Sequence, residues 1–150
     1  MKALIQRVQS ARVTVDGHEV GRIEAGILAY IGLGHDDNLQ RGQRLIDKIL
    51  SYRIFENTQD SSKLGKLDQN LQQVQGGLLL VSQFTLMART DKGRRPDFGA
   101  AMEPVAAQAL FAELILYAKS QYPLVATGVF GANMQVESIN DGPLTFVLEV

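Results

Sequence analysis

The segment Gly76-Gly77-Leu78-Leu79-Leu80-Val81-Ser82-Gln83-Phe84-Thr85-Leu86 is the most continuously apolar part of the chain near its middle. Two glycines open it, and no polar residue alternates with Leu78, Leu79, Leu80 and Val81. A run of that kind suits a strand covered on both faces, so a central strand is expected over Leu78 to Leu86. Downstream, Arg89 to Gly99 is polar and reads as a loop. Pro104 sits where a first-turn proline is tolerated, and Val105 to Lys119 continues without a breaker, which predicts a helix ending before Pro123. Upstream, Glu56 to Gln75 is polar, holds Ser61-Ser62 and Gly65, and reads as a loop or irregular ribbon without a core of its own. Before it, Leu45, Ile46, Ile49 and Leu50 recur at helical spacing behind Asp36, Asp37 and Asn38 as candidate caps, predicting a helix from about residue 38 to 52.

Both ends of the chain read as strands. Ala3 to Val8, Arg12 to Val15 and Ile27 to Gly34 are short apolar or alternating runs, separated by turns at Asp16-Gly17 and Ala25-Gly26. Near the C-terminus Met134, Val136 and Ser138 alternate with Gln135, Glu137 and Ile139. After Asn140-Asp141-Gly142-Pro143 a last strand runs from Leu144 to Val150 with no polar tail, so it is expected to be central in a sheet or clamped by a second subunit. The whole pattern predicts a single α+β domain over residues 1–150, with a mainly antiparallel or mixed sheet curled into a barrel-like core and two principal helices.

With 150 residues, a domain of this size buries roughly 70% of the surface its unfolded chain exposes, so neither metal nor disulfide is required. Cysteine is absent, which excludes disulfide scaffolds, thiolate metal sites and thiol nucleophiles. Fifteen Lys and Arg against 16 Asp and Glu give a net charge of −1, so a broadly basic surface is excluded. The longest apolar runs, such as Leu78 to Val81 and Leu114 to Ala118, fall far short of a membrane span. Met-Lys-Ala-Leu-Ile-Gln-Arg interrupts any signal-peptide core. The default expectation is a cytoplasmic protein.

Few side chains offer strong chemistry. His18 lies beside a predicted turn and reads as a solvated turn residue. His35 precedes Asp36 and Asp37, which suggests a metal cluster, but a helix start explains those carboxylates better; no metal is expected. Gly32-Leu33-Gly34 lacks the third glycine of a dinucleotide loop, and no phosphate-binding Gly-Lys-Ser/Thr loop, zinc-protease helix or Gly-x-Ser-x-Gly elbow occurs, so no cofactor is expected. Two constellations remain. Ser82, Gln83, Phe84 and Thr85 bring hydroxyl, amide, ring and hydroxyl to the end of the most apolar strand, which fits either a satisfied strand end or a site on a rigid element. Gly142-Pro143 lies between two strands, where Pro143 cannot donate to a ladder, so the turn must be special and accommodates the cis isomer found at about 5–6% of X-Pro bonds.

Ser82-Gln83-Phe84-Thr85-Leu86 together with Asn140-Asp141-Gly142-Pro143-Leu144-Thr145 closely resembles the paired signature of the D-aminoacyl-tRNA deacylases. The resemblance spans nearly the whole chain, through Ile5-Gln6-Arg7-Val8, Tyr52-Arg53-Ile54-Phe55, Gly76-Gly77, Arg95-Pro96-x-Phe98 and Gly131-Ala132-x-Met134-x-Val136. Leu144 stands where the family more often has Val, and the Asn57 to Gln75 region is longer and more polar than usual. The resemblance implies a homodimer with active sites at the interface, the Gly142-Pro143 turn of one subunit entering the other's pocket in the cis form, and Arg7 holding that turn. It also implies catalytic roles around Ser82, Gln83, Phe84 and Thr85, and substrate contacts from Gly142, Pro143, Arg7, Met134, Asn140 and Thr145.

The implied substrate is the ester joining a D-amino acid to the terminal adenosine of tRNA. This ester is already activated, and one preorganised oxyanion donor contributes about 2.7–4 kcal/mol, so main-chain N–H groups around Phe84 and Thr85 can suffice while water attacks. Thr85 as a covalent nucleophile is the alternative, although no histidine is placed by the sequence to activate it. Carbonyl oxygens of the Gly142-Pro143 turn would clash with an L side chain and tolerate D substrates of any kind, and glycyl-tRNA with them. Arg89, Lys92, Arg94 and Arg95 cluster in one loop after the strand, either as a solvated surface or as phosphate contacts for tRNA. Rival readings are a noncatalytic RNA-binding module on the same fold and a Ser/Thr esterase pairing Ser82 or Thr85 with His35.

Overall fold

The computed structural model describes residues 1–150. Strand β1 (Lys2–Val15) is the longest of the first half and acts as a spine. Asp16 and Gly17 both take positive φ, 50° and 78°, giving a two-residue turn that suits the twist of a hairpin. β2 (His18–Ile23) returns antiparallel to β1, with His18 opposite Val15. His18, read from the sequence as a turn residue, therefore opens a strand; its Nδ1 lies 2.9 Å from the Asp16 carbonyl. β3 (Gly26–Gly32) pairs with the first half of β1 while β2 pairs with the second half.

Parallel to β3 runs β6 (Gly77–Ser82), which in turn pairs with the short β7 (Val125–Thr127). The resulting mixed sheet has the order β2-β1-β3-β6-β7, with β8 (Gln135–Glu149) on the free side of β1. β2 and β7 nearly close it into a barrel, since a Cβ added at Gly21 would collide with the Thr127 carbonyl. The α+β class and the barrel-like sheet expected from the sequence are both present.

Helix α1 (Leu39–Ser51) begins at Asn38, whose side chain accepts from the Arg41 amide at 3.0 Å, and buries Leu45, Ile46, Ile49 and Leu50 as the periodicity predicts. Asp37 does not cap it. Its carboxylate accepts from the Met1 ammonium at 2.8 Å and from the Gly34 amide at 2.7 Å. Helix α3 (Pro104–Gln121) starts at its proline and buries Ala107, Leu110, Phe111, Leu114 and Ala118. Both helices cover one face of the sheet. Ile27, Ala29, Ile31, Leu78 and Leu80 point into that helix-facing core, whereas Leu28, Leu79 and Val81 point into the barrel with Val8, Ala11, Val13 and Ile23. The uninterrupted apolar run in β6 is thus explained by burial on two faces.

Three expectations are corrected. The central strand stops at Ser82 and does not reach Leu86; Phe84–Met87 forms a 3₁₀ turn. Gly32 permits this, because a Cβ there would stand 2.9 Å from Leu86 Cβ, so the chain can fold back over the end of β3. The polar segment before β6 contains a small ribbon of β4 (Phe55–Glu56) and β5 (Leu67–Gln69), then the one-turn helix α2 (Leu71–Val74), and it does reach the core. Asn70 and Gln73 cap that helix reciprocally, at 2.9 and 3.0 Å, and the turn drives Leu71 into complete burial. Finally, the two strands expected on either side of Gly142-Pro143 are one. β8 passes straight through that dipeptide, pairing with β1 on both sides, and bears its other edge unpaired, so the last strand is not central within the chain.

The α2 turn and the β6 strand are joined to α3 by Tyr122, whose hydroxyl donates to the Gly76 carbonyl at 2.6 Å. Burial pushes this phenol above its ordinary range and keeps it a donor. No helix is long and apolar enough to cross a membrane. Because Leu71 is the buried anchor of a segment that otherwise carries little apolar surface, Leu71→Ala is expected to lower the unfolding free energy by about 2–5 kcal/mol, measured by urea denaturation.

Candidate active site

Ser82 ends β6, and the Gln83 amide still donates to the Ile31 carbonyl at 2.8 Å before the chain turns away. Above this strand end lies a cavity of about 500 Å³. Ile31 and Leu33 line it from the end of β3, Val81 and Ser82 from the end of β6 with Gln83 and Phe84 just beyond, and Met102, Pro104 and Ala107 from around the start of α3. The remaining wall is the segment Phe130 to Met134 with Val136. Most of the lining is apolar, so the polar groups of the strand end are its main hydrogen-bonding resource. The Ser82 hydroxyl makes no hydrogen bond within the chain, and the Phe84 ring stands exposed at the rim.

Main-chain donors at this point are free. In the turn Phe84–Met87, Leu86 donates to the Gln83 carbonyl at 3.2 Å and Ala88 to that of Thr85 at 3.1 Å, while the Phe84 and Thr85 amides have no acceptor in the chain. First-turn amides are left over in any helical turn; here no side chain caps them, and Phe84 lines the cavity. Thr85 is not part of the cavity wall, and its hydroxyl accepts from the Gln83 side-chain amide. His35 is not joined to either hydroxyl: its Nε2 lies 2.6 Å from the Gly99 carbonyl.

The second motif forms a separate cluster. Opposite Arg7, residues Asp141 to Leu144 bulge out of the ladder, since Gln6 pairs with Thr145 and Val8 with Asn140. Asn140 clips the bulge shut, accepting from the Leu144 amide at 3.1 Å and donating to the Thr145 hydroxyl at 3.0 Å. Gln6 donates to the same hydroxyl at 3.1 Å. The Gly142-Pro143 peptide is cis, with Gly142 at φ 122°, a conformation that L side chains rarely adopt.

Arg7 occupies a core-facing position of β1 and is 9% exposed. Nη1 donates to the Ile54 carbonyl at 2.9 Å, while Nε lies 2.8 Å from Asp141 Oδ2 as an ion pair whose N–H is not aimed at the oxygen. Nη2 comes within 3.3 Å of where a Gly142 Cβ would stand. Arg7, Asn140, Gly142, Pro143 and Thr145 are therefore brought together with one another, and Met134 alone of the expected substrate contacts joins Ser82, Gln83 and Phe84 at the cavity.

Arg89, Lys92, Arg94 and Arg95 are all exposed, and none has a carboxylate within ion-pair distance. Their loop is closed at its base by the main-chain pair Arg89 and Asp97, at 2.8 and 3.2 Å, and docked by Phe98, whose ring centroid is 5.0 Å from that of Phe84. No group of three or more His, Asp or Glu is arranged to hold a metal ion. Sequence reasoning missed Ile31, Leu33, Met102, Pro104, Ala107 and Phe130 as cavity residues. These come from separate elements with no shared spacing, and only closure of the barrel against α3 brings them to one place.

The family model described as D-Tyr-tRNA(Tyr) deacylase matches residues 4–149. A relative from Psychrobacter arcticus named D-aminoacyl-tRNA deacylase is 74% identical, over all of this chain and 99% of the relative. One of the same name from Acinetobacter baumannii is 57% identical over the same shares. Among solved structures, the c-Myc DNA Unwinding Element Binding Protein superimposes with a TM-score of 0.91 at 38% identity, covering 100% of this chain and 99% of that one. A probable eukaryotic D-amino acid tRNA deacylase gives 0.85 at 17% identity, covering 99% and 98%, which speaks for the fold. With a family model spanning nearly its full length and relatives of this identity, the chain belongs to the D-Tyr-tRNA(Tyr) deacylase family.

Proposed function

We propose that the protein hydrolyses the ester of D-aminoacyl-tRNA, releasing free amino acid and tRNA, and spares the L form. The observation that carries this reading is the pair of unoccupied amides at Phe84 and Thr85, in the turn that follows a strand buried on both faces, with Phe84 lining an apolar cavity. As the ester carbonyl is attacked by water its oxygen gains negative charge, and rigid N–H donors stabilise that charge without reorganising. One such donor contributes about 2.7–4 kcal/mol, which suffices for an ester that water already attacks readily. Thr85 supports the turn in this scheme through its bond with Gln83 and is no covalent nucleophile, since neither histidine nor carboxylate contacts its hydroxyl.

Handedness is read by main-chain oxygens of the Gly142-Pro143 turn, supplied to each cavity by a second copy of the chain. What supports this is the separation of the two clusters within one protomer and the outward bulge of the turn on a strand with an unpaired edge. Exposed Ile139 and Val147 on the same strand offer apolar surface for pairing. An L side chain would meet the turn; a D side chain would point to solvent, and glycine would pass. The four unpaired cations of the 89–99 loop contact tRNA phosphates, and the protein acts in the cytoplasm, where charged tRNA is found.

A second reading is a noncatalytic nucleic-acid-binding module, favoured by those same cations and by the printed name of the 38% identical structure. Incubating the purified protein with D-tyrosyl-tRNA separates the two: release of D-tyrosine is expected, and its absence favours the binding module. In the same assay glycyl-tRNA should be cleaved and L-tyrosyl-tRNA left intact; efficient cleavage of the L ester would overturn the steric filter. Thr85→Ala should lose less than about tenfold in kcat, because removing a true covalent nucleophile costs on the order of 10⁶. Replacing Arg94 and Arg95 by Ala should weaken tRNA binding and reduce the steepness of its salt dependence by up to about 0.9 per lost phosphate contact, with cleavage of D-tyrosyl-adenosine unchanged.

A further inference from the structure

The loop that carries the four cations has little to hold it. Residues Arg89 to Gly99 are all exposed, include no helix or strand, and form no ion pair between them. Its return limb is zipped onto the end of β3: the Met102 amide donates to the Leu33 carbonyl at 2.9 Å, the His35 amide to that of Ala100 at 3.4 Å, and Gly34 bridges to Ala101. Gly34 allows this approach, since a Cβ there would stand 3.3 Å from the Ala100 carbonyl oxygen and 2.8 Å from Met87 Cε. Any sequence can make the main-chain contacts. The long-range side-chain anchors are two, the Phe98 ring on Phe84 and the His35 ring on the Gly99 carbonyl, 64 residues away in sequence.

We propose that His35 is a positioning residue for tRNA docking, fixing through Gly99 the loop that presents Arg89, Lys92, Arg94 and Arg95 beside the cavity. The inference rests on the deacylase reading above. A carbonyl only accepts, so Nε2 carries the proton and donates it, and at 2.6 Å the bond is short for an N–H···O contact. The ring makes no hydrogen bond to Ser82 or Thr85, so it is not placed as the general base of an esterase. Asp97 completes the clasp by accepting from the Gly99 amide at 2.8 Å, so Gly99 is held from both its N–H and its C=O. Cations held in advance lose less freedom when phosphates arrive, and this favours binding more than chemistry.

His35→Ala and His35→Gln test this against D-tyrosyl-tRNA and D-tyrosyl-adenosine. Glutamine retains an N–H donor able to reach a carbonyl; alanine does not. In His35→Ala, KM for the tRNA substrate should rise by about tenfold while kcat and the cleavage of D-tyrosyl-adenosine stay within about twofold, and His35→Gln should recover most of the loss. Hydrogen exchange at the Arg89, Asp97 and Ala101 amides should quicken in the alanine variant and not in the glutamine one. Collapse of kcat on both substrates would overturn the proposal in favour of a catalytic imidazole, and unchanged KM would overturn it outright. If the wild-type protein cleaves neither ester, the deacylase reading fails by itself; binding of uncharged tRNA, followed by fluorescence anisotropy, then decides the positioning role, which is lost if His35→Ala binds as tightly as wild type.

Discussion

Parallel pairing of β3 with β6 between two cores is the constraint on which the rest depends. Leu78 and Leu80 pack under the helices while Leu79 and Val81 fill the barrel, and Ile27, Ala29, Ile31 and Leu28 do the same one strand away. A strand so enclosed cannot shift by one residue without exchanging its two apolar sets, so its register is fixed. The position of Ser82 is fixed with it, and so is the point at which the chain turns into Phe84–Met87. The free amides of Phe84 and Thr85 therefore inherit the rigidity of the core. A loop of the same composition would have to be ordered before it could act.

β1 performs the complementary task. Ala3, Ile5 and Arg7 share its helix-facing side, whereas Val8, Ala11 and Val13 face the barrel, an exchange made possible by the bulges between Gln6 and Ser10. Arg7 is the residue at the changeover. A buried guanidinium is costly to leave unpaired, and here the Ile54 carbonyl accepts from Nη1 and the Asp141 carboxylate balances the charge, although the Nε–H itself has no acceptor. The same arginine thus ties the bulge of β8 to the segment leading into β4. Removing its charge would leave Asp141 unpaired beside a turn that has no other salt bridge.

Legibility in the sequence followed the length of the periodic signal. The stripe of Leu45, Ile46, Ile49 and Leu50, the breaker-free run after Pro104, and the apolar block Leu78 to Val81 each repeat often enough for their burial to be read directly. Leu71 could not be found that way, because a one-turn helix has a single inward position and its evidence is the reciprocal cap of Asn70 and Gln73. The early end of β6 was hidden for a different reason: Phe84, Thr85, Leu86 and Met87 are all compatible with a strand, and the decision involves Gly32, far away in sequence. Asp37 shows the same limit. Beside Asn38 it resembles a cap, yet besides the nearby Gly34 amide and Arg41 its carboxylate holds the Met1 ammonium, 36 residues away in sequence, which local spacing does not reveal.

The division of the two motifs between separate clusters follows from these same constraints. Ser82 to Phe84 must sit where two cores meet, because only there is the main chain rigid enough to hold unpaired donors. In the proposed scheme the turn whose oxygens face a substrate must instead protrude, and the outer edge of the sheet is where a bulge costs the least ladder pairing. One chain folded on a single barrel cannot easily place both features at the same spot, since the first needs burial and the second needs projection. In the proposed dimer each copy supplies the rigid floor of its own cavity and the projecting turn of its neighbour's. The unpaired edge of β8, a liability in a lone sheet, becomes in that arrangement the surface along which the two requirements are reconciled.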